Sequence, residues 1–326
     1  MDTRHYDAAE AKYIEMNSAG KMDEAASVFL ARELSQVRRK VLEVPKAPLT
    51  AFQVFPVQTE VAAGAETAFQ RIYDDVGMAK IIGDYADDLP RVDIVAKEVP
   101  VKVKGIGAAY GYTVNDIRHA QFAGVNLTAR KALAVRRAID QKLNRLAWQG
   151  DSEHNIIGFL NNPNITVYLV PADGNQNSGA NSTQFIHKTV EQIINNMNEF
   201  LRAIPEATNE IEVPDTVLLP PAVYDKLATT ARTTNSDLTV MEFLQKTHPE
   251  IRRWIKVGEL KDAGTNGKAV MFAGKFEPDY VQFEIPLRFE QLPVERRNLE
   301  FVVNCVCRAI GVTVSYPNAF VKAEGV

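Results

Sequence analysis

Three short stretches bring together side chains of the kinds that do chemistry. Asp151-Ser152-Glu153-His154 follows the end of a helix at Gly150 and puts two acids and an imidazole in one loop. Such a loop can be catalytic or a plain connector, and its own residues leave both readings open. Asp173, Asn175 and Asn177 match the first, third and fifth positions of a calcium loop. The sixth position should be glycine and is Ser178; the twelfth should be the bidentate acid and is Gln184. A flexible surface loop is expected there instead. The run Gly105 to Gly111, GIGAAYG, misses the dinucleotide fingerprint and leads into more strand, not into a helix N-terminus. Its glycines fit a strand thinned for bending or close packing.

The remaining candidates are weaker still. His5, His119, His154, His187 and His248 are scattered, with no HExxH pair and no G-x-S-x-G turn. Asp74-Asp75 and Asp87-Asp88 are adjacent, so their side chains diverge in a strand and read as turn charges. Gly267-Lys268 lacks the upstream glycine of a phosphate loop. Cys305 and Cys307 sit two apart in a strand-like run and face the same way, poorly placed to bridge each other. They read as small apolar side chains in a reducing compartment. No catalytic set, cofactor or metal is expected.

The bulk numbers narrow the class. The chain has 326 residues, enough for two domains or one with large excursions. Lys and Arg number 37 against 41 Asp and Glu, a net charge of −4, which argues against a dedicated nucleic-acid binder. A locally basic face remains compatible with that balance. No apolar run approaches the roughly 18 residues of a membrane span. The N-terminus MDTRHYDAAEAKYIE lacks a signal-peptide core, so a soluble protein made in a cytoplasm is expected.

The elements that would position any site follow from periodicity. Residues 1–43 read as helix, with Ala26, Phe29, Leu30, Leu34, Val37 and Val41 in a narrow apolar stripe, until Pro45 and Pro48 break it. From Val54 to Thr113 the period changes to two, clearest in TAFQRIYDD and VAKEVPVKVKGIGAAYGYT, with a turn around Pro90. A two-stranded excursion this long is marginal by itself and needs a surface to lie on. Asn126 to Gln149 is the strongest helix, capped by Asn126 or Thr128 and stopped by Gly150. Ala132, Val135, Ile139, Leu143 and Leu146 form its apolar side, and Arg130, Lys131, Arg136, Arg137, Lys142 and Arg145 cover much of the rest. It spans roughly 35 Å. Strands alternate with helices over 165–290, which suggests an α/β subdomain with a helix from Phe185 to Ile204. Two short apolar strands around Gly311 close the chain.

This order of elements resembles the major capsid proteins of tailed bacteriophages, the Hong Kong 97-type fold. YTVNDIRHAQFAGVNLTARKALAVRRAIDQKLNRLAWQGD followed by IIGFLNNPNI looks like the entry and exit of a spine helix, and LLPPAVYDKLATTA, LTVMEFLQ and RAIGVTVSYPNAFV look like later segments. The resemblance implies an α+β capsid fold. It would have an N-terminal arm (1–53), an extended loop (54–112), a peripheral domain with the spine helix (113–164), an axial domain (165–290) and a return to the peripheral domain (291–326). On it, Asp151, Glu153 and His154 become connector residues.

The function implied is a self-assembling shell of hexamers and pentamers around phage double-stranded DNA, in the virion, built in the bacterial host cytoplasm. The partners are other copies, DNA without sequence specificity, and portal, scaffolding or decoration proteins, with no membrane. Inter-subunit contacts are expected at Phe29, Leu30, Leu34, Arg91, Asp93, Lys102 and Lys104, and contacts with a polyanion at Arg130, Arg136, Arg137 and Lys142. Some relatives cross-link through a Lys–Asn bond or lose an N-terminal segment; neither is expected here. The same fold builds encapsulin compartments that hold protein cargo. A soluble α/β enzyme is the reading from another class, but it needs a convergent polar pocket that the sequence does not offer.

Overall fold

The computed structural model describes residues 46–76, 91–123, 127–177, 180–233 and 237–326. The chain divides into two units, 1–48 and 49–326, and every helix and strand of the described residues belongs to the second. The expected arm helix, with Phe29, Leu30 and Leu34, lies outside the described residues, as do the turn around Pro90 and the Asn126 cap.

The spine helix runs Leu127–Gln149. It contains neither Gly nor Pro, and its apolar residues recur at three and four, so one stripe is buried along its second half. Near its end the burial widens to include Asn144, Ala147 and Trp148. Gly150 then takes φ +71°, and a side chain there would collide with the Ile156 carbonyl and the Gly158 nitrogen. Only glycine ends the helix this way at little cost. Two buried polar groups of the helix find partners in the short helix Ala51–Val54 and its cap. Trp148 Nε1 donates to Thr50 Oγ1 at 3.0 Å, and Asn144 Oδ1 accepts from the Ala51 N–H at 2.9 Å. The Asn144 amide also donates to Glu259 Oε1 at 2.8 Å.

A five-stranded sheet forms a wall between two cores. Its order is Thr166–Leu169, Phe320–Glu324, Val270–Gly274, Thr216–Leu219, Arg253–Lys256. The two outer pairings are parallel and the two inner ones antiparallel. Alternate residues feed opposite sides. Val217, Leu219, Met271, Ala273, Val321 and Ala323 join a core with Ile193, Met197, Phe200, Leu227 and Leu244 of helices Val190–Ala207, Pro221–Thr229 and Val240–Thr247. Leu218, Val270, Phe272 and Phe320 face the other core, where Phe159 contacts the rings of Phe55, Trp148, Phe272, Phe276 and Phe320. The helix expected from Phe185 starts at Val190, because Thr189 and Gln192 close a capping box and Phe185–His187 is a separate 3₁₀ turn. Thr239 and Glu242 cap Val240–Thr247 in the same way.

The spine-helix stripe packs against a second sheet. Its central strand, Glu300–Ala309, pairs along its length with Lys104–Thr113 on one side and with Leu287–Gln291 and Glu295–Arg297 on the other. A third sheet joins Val57–Gln58, Val281–Glu284 and Gly311–Val314. The last sheet is a ribbon of Thr67–Val76 with Asp93–Lys102.

Three expectations are corrected by this topology. The two-stranded excursion does not reach residue 112. It stops at Val103, which is buried, and Lys104–Thr113 has crossed into the second sheet, where its inward residues Ile106, Ala108 and Tyr110 find a core. The closing strands are not two short ones: the first is ten residues long, and Phe320–Glu324 forms a further strand. That strand also does not return to the spine-helix side alone, since it lies within the five-stranded sheet, whereas 281–290, grouped by sequence with 165–290, pairs elsewhere. Pro317 interrupts the run and hides the last strand in the sequence, but burial on both faces fixes it.

Candidate assembly surface

The ribbon is the part of the described chain least able to bury its own apolar side chains. In an antiparallel pair, opposite residues share a face. Phe69 opposite Pro100, Arg71 opposite Glu98 and Tyr73 opposite Ala96 define one face, which Ile94 continues two residues before Ala96. On it Phe69 is 61% exposed, Tyr73 63% and Ile94 63%. Arg71 Nε meets Glu98 Oε1 at 2.8 Å between them, an exposed ion pair that contributes little by itself. The other face carries Ala68 opposite Val101 and Gln70 opposite Val99, all half-buried, and Gln70 Nε2 donates to Ser315 Oγ. One side of the ribbon root therefore rests on its own subunit and the other is bare.

The root is held by a small set of bonds. Arg308, on the central strand of the second sheet, donates through its two Nη atoms to the carbonyls of Ala63 and Ala65, the latter at 2.8 Å. The Val103 N–H donates to Glu66 O at 2.9 Å. Val61 N–H donates to Glu284 Oε1 at 3.2 Å; burial holds that carboxyl above the usual range, against the pull of the Val61 N–H.

The contact residues expected from sequence fall unevenly on this surface. Arg91, Asp93 and Lys102 lie at or just beyond the two ends of the strand Asp93–Lys102; Arg91 and Asp93 are exposed, and Asp93 Oδ1 accepts its neighbour's N–H, that of Ile94. Lys104 is half-buried and belongs to the second sheet, opposite Ala309. Sequence reasoning missed Phe69 and Tyr73, whose spacing of four in a period-two stretch already put two aromatic rings on one face.

The four cations assigned to a polyanion do not form one face. At about 100° per residue, Arg136 and Lys142 flank the buried stripe about 60° to either side of Ile139, whereas Arg130 and Arg137 stand opposite it. The Arg136 guanidinium lies over Phe289, 6.0 Å from the ring centre. It also lines a groove of about 490 Å³ with Phe52, Val57, Leu143, Arg288 and Asp140, whose carboxyl burial raises against the pull of Arg136 and Arg137. Lys142 Nζ is bonded to Asp151 Oδ2 at 3.0 Å.

That last bond accounts for the acidic loop. Gly150–Asp151 pairs with Ile156–Ile157, and the turn between them carries Glu153 and His154. Asp151 takes Lys142 on one oxygen and His154 Nδ1 on the other at 3.1 Å, and His154 with Lys142 holds its carboxyl down to about 2. Asp151, Glu153 and His154 bring donor atoms within 4.8 Å of one another, but the acid is already used and the turn is open to solvent. In the Asp173 loop, the carboxylate meets the buried Lys188 Nζ at 2.8 Å, and Gly174 bridges Ser182, which makes it a pinned hairpin. Cys305 and Cys307 are free and buried on the core side of their strand; burial, with Asp140 nearby, pushes the Cys307 thiol up to about 11. Among the described residues no helix is long and apolar enough to cross a membrane.

These elements have counterparts in known proteins. A family model described as major capsid protein matches residues 77–326. No curated protein matches the chain. Among solved structures, the capsid of Myoviridae phage XM1 superposes with a TM-score of 0.77 at 18% identity, covering 92% of this chain and 99% of that one. The capsid of an empty GTA particle gives 0.60 at 9% identity, over 89% and 94% of the two chains. Gordonia phage Cozz gives 0.57 at 12%, over 89% and 90%. At these identities the likeness is one of fold, and the fold is the Hong Kong 97 type.

Proposed function

The chain belongs to the major capsid protein family, and on that premise we propose that its copies close into hexamers and pentamers of an icosahedral shell around phage double-stranded DNA. The observation that carries the reading is the bare face of the ribbon. Phe69, Tyr73 and Ile94 stay exposed on a two-stranded element that is marginal without cover, and a neighbouring copy supplies that cover. A contact of one patch with a different patch closes into rings when the rotation closes. Interfaces built by extended elements across neighbours are of the obligate kind, above roughly 2,000 Å².

In this reading the five-stranded sheet with its three helices is the axial domain. The spine helix with the sheet around Glu300–Ala309 is the peripheral domain. The arm is the segment before Leu49, since Thr50 and Ala51–Val54 pack on the spine helix; its stripe at Phe29, Leu30 and Leu34 meets other copies, and Arg91, Asp93 and Lys102, with Lys104 at the root, supplement the ribbon contact. Arg130, exposed on the side of the spine helix away from its buried stripe, faces the packaged polyanion, which needs only unspecific phosphate contacts; Arg137, half-buried with its Nε enclosed, takes a lesser share. Assembly takes place in the host cytoplasm, with portal, scaffolding or decoration proteins as further partners.

Negative-stain microscopy and sedimentation of the purified chain test this. Closed shells or capsomer rings are expected, and Phe69→Ser with Tyr73→Ser should leave unassembled subunits. A stable monomer under all conditions sinks the proposal. Particles from infected cells should hold nuclease-resistant DNA; particles holding only protein would make the chain a compartment shell.

A further inference from the structure

We infer that Arg308 is a positioning residue for assembly: its guanidinium fixes the direction in which the ribbon leaves the subunit. The inference rests on the self-assembly reading and adds a device to it.

The ribbon has two roots of different stiffness. Asp93–Lys102 continues through the single residue Val103 into Lys104–Thr113, which is locked to the central strand of the second sheet. Its partner Thr67–Val76 is reached through residues 59–66, where a turn closed by Ala65 N–H to Ala62 O is the local structure. The link is held at its two ends, by Val61 N–H on Glu284 and by Glu66 O on the Val103 N–H, and Gly64 leaves the stretch between them the most freedom to turn. Arg308 closes the choice. It sits on the rigid strand Glu300–Ala309 and grips the carbonyls on either side of Gly64, those of Ala63 and Ala65.

The chemistry of the side chain matters. A guanidinium presents a planar fork of donors that reaches two acceptors together, whereas an ammonium is a point charge. Both carbonyls are satisfied only when the link holds one shape. The neighbour opposite Arg308 on Lys104–Thr113 is Gly105, which puts no side chain beside the arginine stem. An angle set this way is an assembly parameter, since a ring closes only if every copy offers its contact in the same direction.

Arg308→Lys tests this because it keeps the charge and loses the fork. In the unassembled subunit, amide exchange at Val103 and along Thr67–Val76 should rise by about tenfold, the worth of one charge-assisted hydrogen bond. In assembly, the lysine variant should give fewer closed particles and a broader spread of diameters than wild type. Arg297→Lys, an exposed arginine paired with Glu295 at 2.9 Å, should change neither readout. Exchange and diameters equal to wild type in Arg308→Lys overturn the inference while leaving the assembly reading intact. A lysine variant that does not fold also overturns it, because Arg308 would then serve stability. If the wild type itself never assembles, the assembly reading falls, and with it the role given to Arg308.

Discussion

The five-stranded sheet and the ribbon are both made of strands rich in β-branched and aromatic residues, and they meet solvent in opposite ways. In the sheet, Val270-Met271-Phe272-Ala273-Gly274 is buried at every position, because helices cover one face and the Phe159 cluster covers the other. In the ribbon, Phe69, Tyr73 and Ile94 are each more than half exposed. The difference is not one of strand-forming tendency. It lies in whether the chain carries its own cover. A region that supplies both layers folds on its own account, and a region that leaves one face uncovered places its apolar residues where another molecule must meet them.

Removing pieces of each region should separate the two kinds. The largest effect is expected in the shared core. Phe159→Ala empties the centre of five ring contacts and should cost the unassembled subunit about 3–5 kcal/mol in urea unfolding. A loss below about 1 kcal/mol would mean that the site collapses without strain and that the wall is looser than its burial implies. Next is Asn144→Ala, which strips the Ala51 N–H of its acceptor and Glu259 of a donor; about 1–3 kcal/mol is expected in the same assay.

A smaller effect has a definite pH signature. Asp151 has its carboxyl depressed to about 2 by His154 and Lys142, below its unfolded value near 4. Its contribution is present above pH ~4 and is lost as pH falls through about 2. The stability difference between wild type and Asp151→Asn should therefore be constant at mildly acidic pH and vanish on acidification; a difference that grows instead contradicts the pairing. Least affected should be the ribbon double variant Phe69→Ser with Tyr73→Ser. Its unassembled subunit should unfold within about 0.5 kcal/mol of wild type, the usual range for exposed positions. A large loss there would show that the ribbon packs within its own subunit.

Periodicity made the long elements legible. The spine helix, its apolar stripe and its stop at Gly150 follow from spacing and one glycine, and the order of elements carried the resemblance to capsid proteins. What was not legible depends on distant partners. Lys104–Thr113 alternates just like the ribbon strand before it, and only the pairing with Glu300–Ala309 separates them. Phe320–Glu324 is too short to be recognised without its two neighbours in the sheet. Around the spine helix, the basic residues were legible as a set, but the partners of two of them within the subunit were not. Lys142 serves Asp151, and Arg136 lies over a ring, because positions that flank a buried stripe are within reach of what covers it. Arg308 gave no signal at all, since its acceptors are backbone carbonyls, which any sequence provides.

The passage of one strand through Val103 has a mechanical side. A pull on the ribbon along Asp93–Lys102 reaches the subunit as a load parallel to Lys104–Thr113, whose bonds to Glu300–Ala309 run across the line of force. Those bonds must then slide together and cannot peel one at a time. Ten paired residues share the load, from Thr113 opposite Glu300 to Lys104 opposite Ala309. The joint resists tension as a lap seam does, and it would give way far more easily to a force applied sideways at its edge.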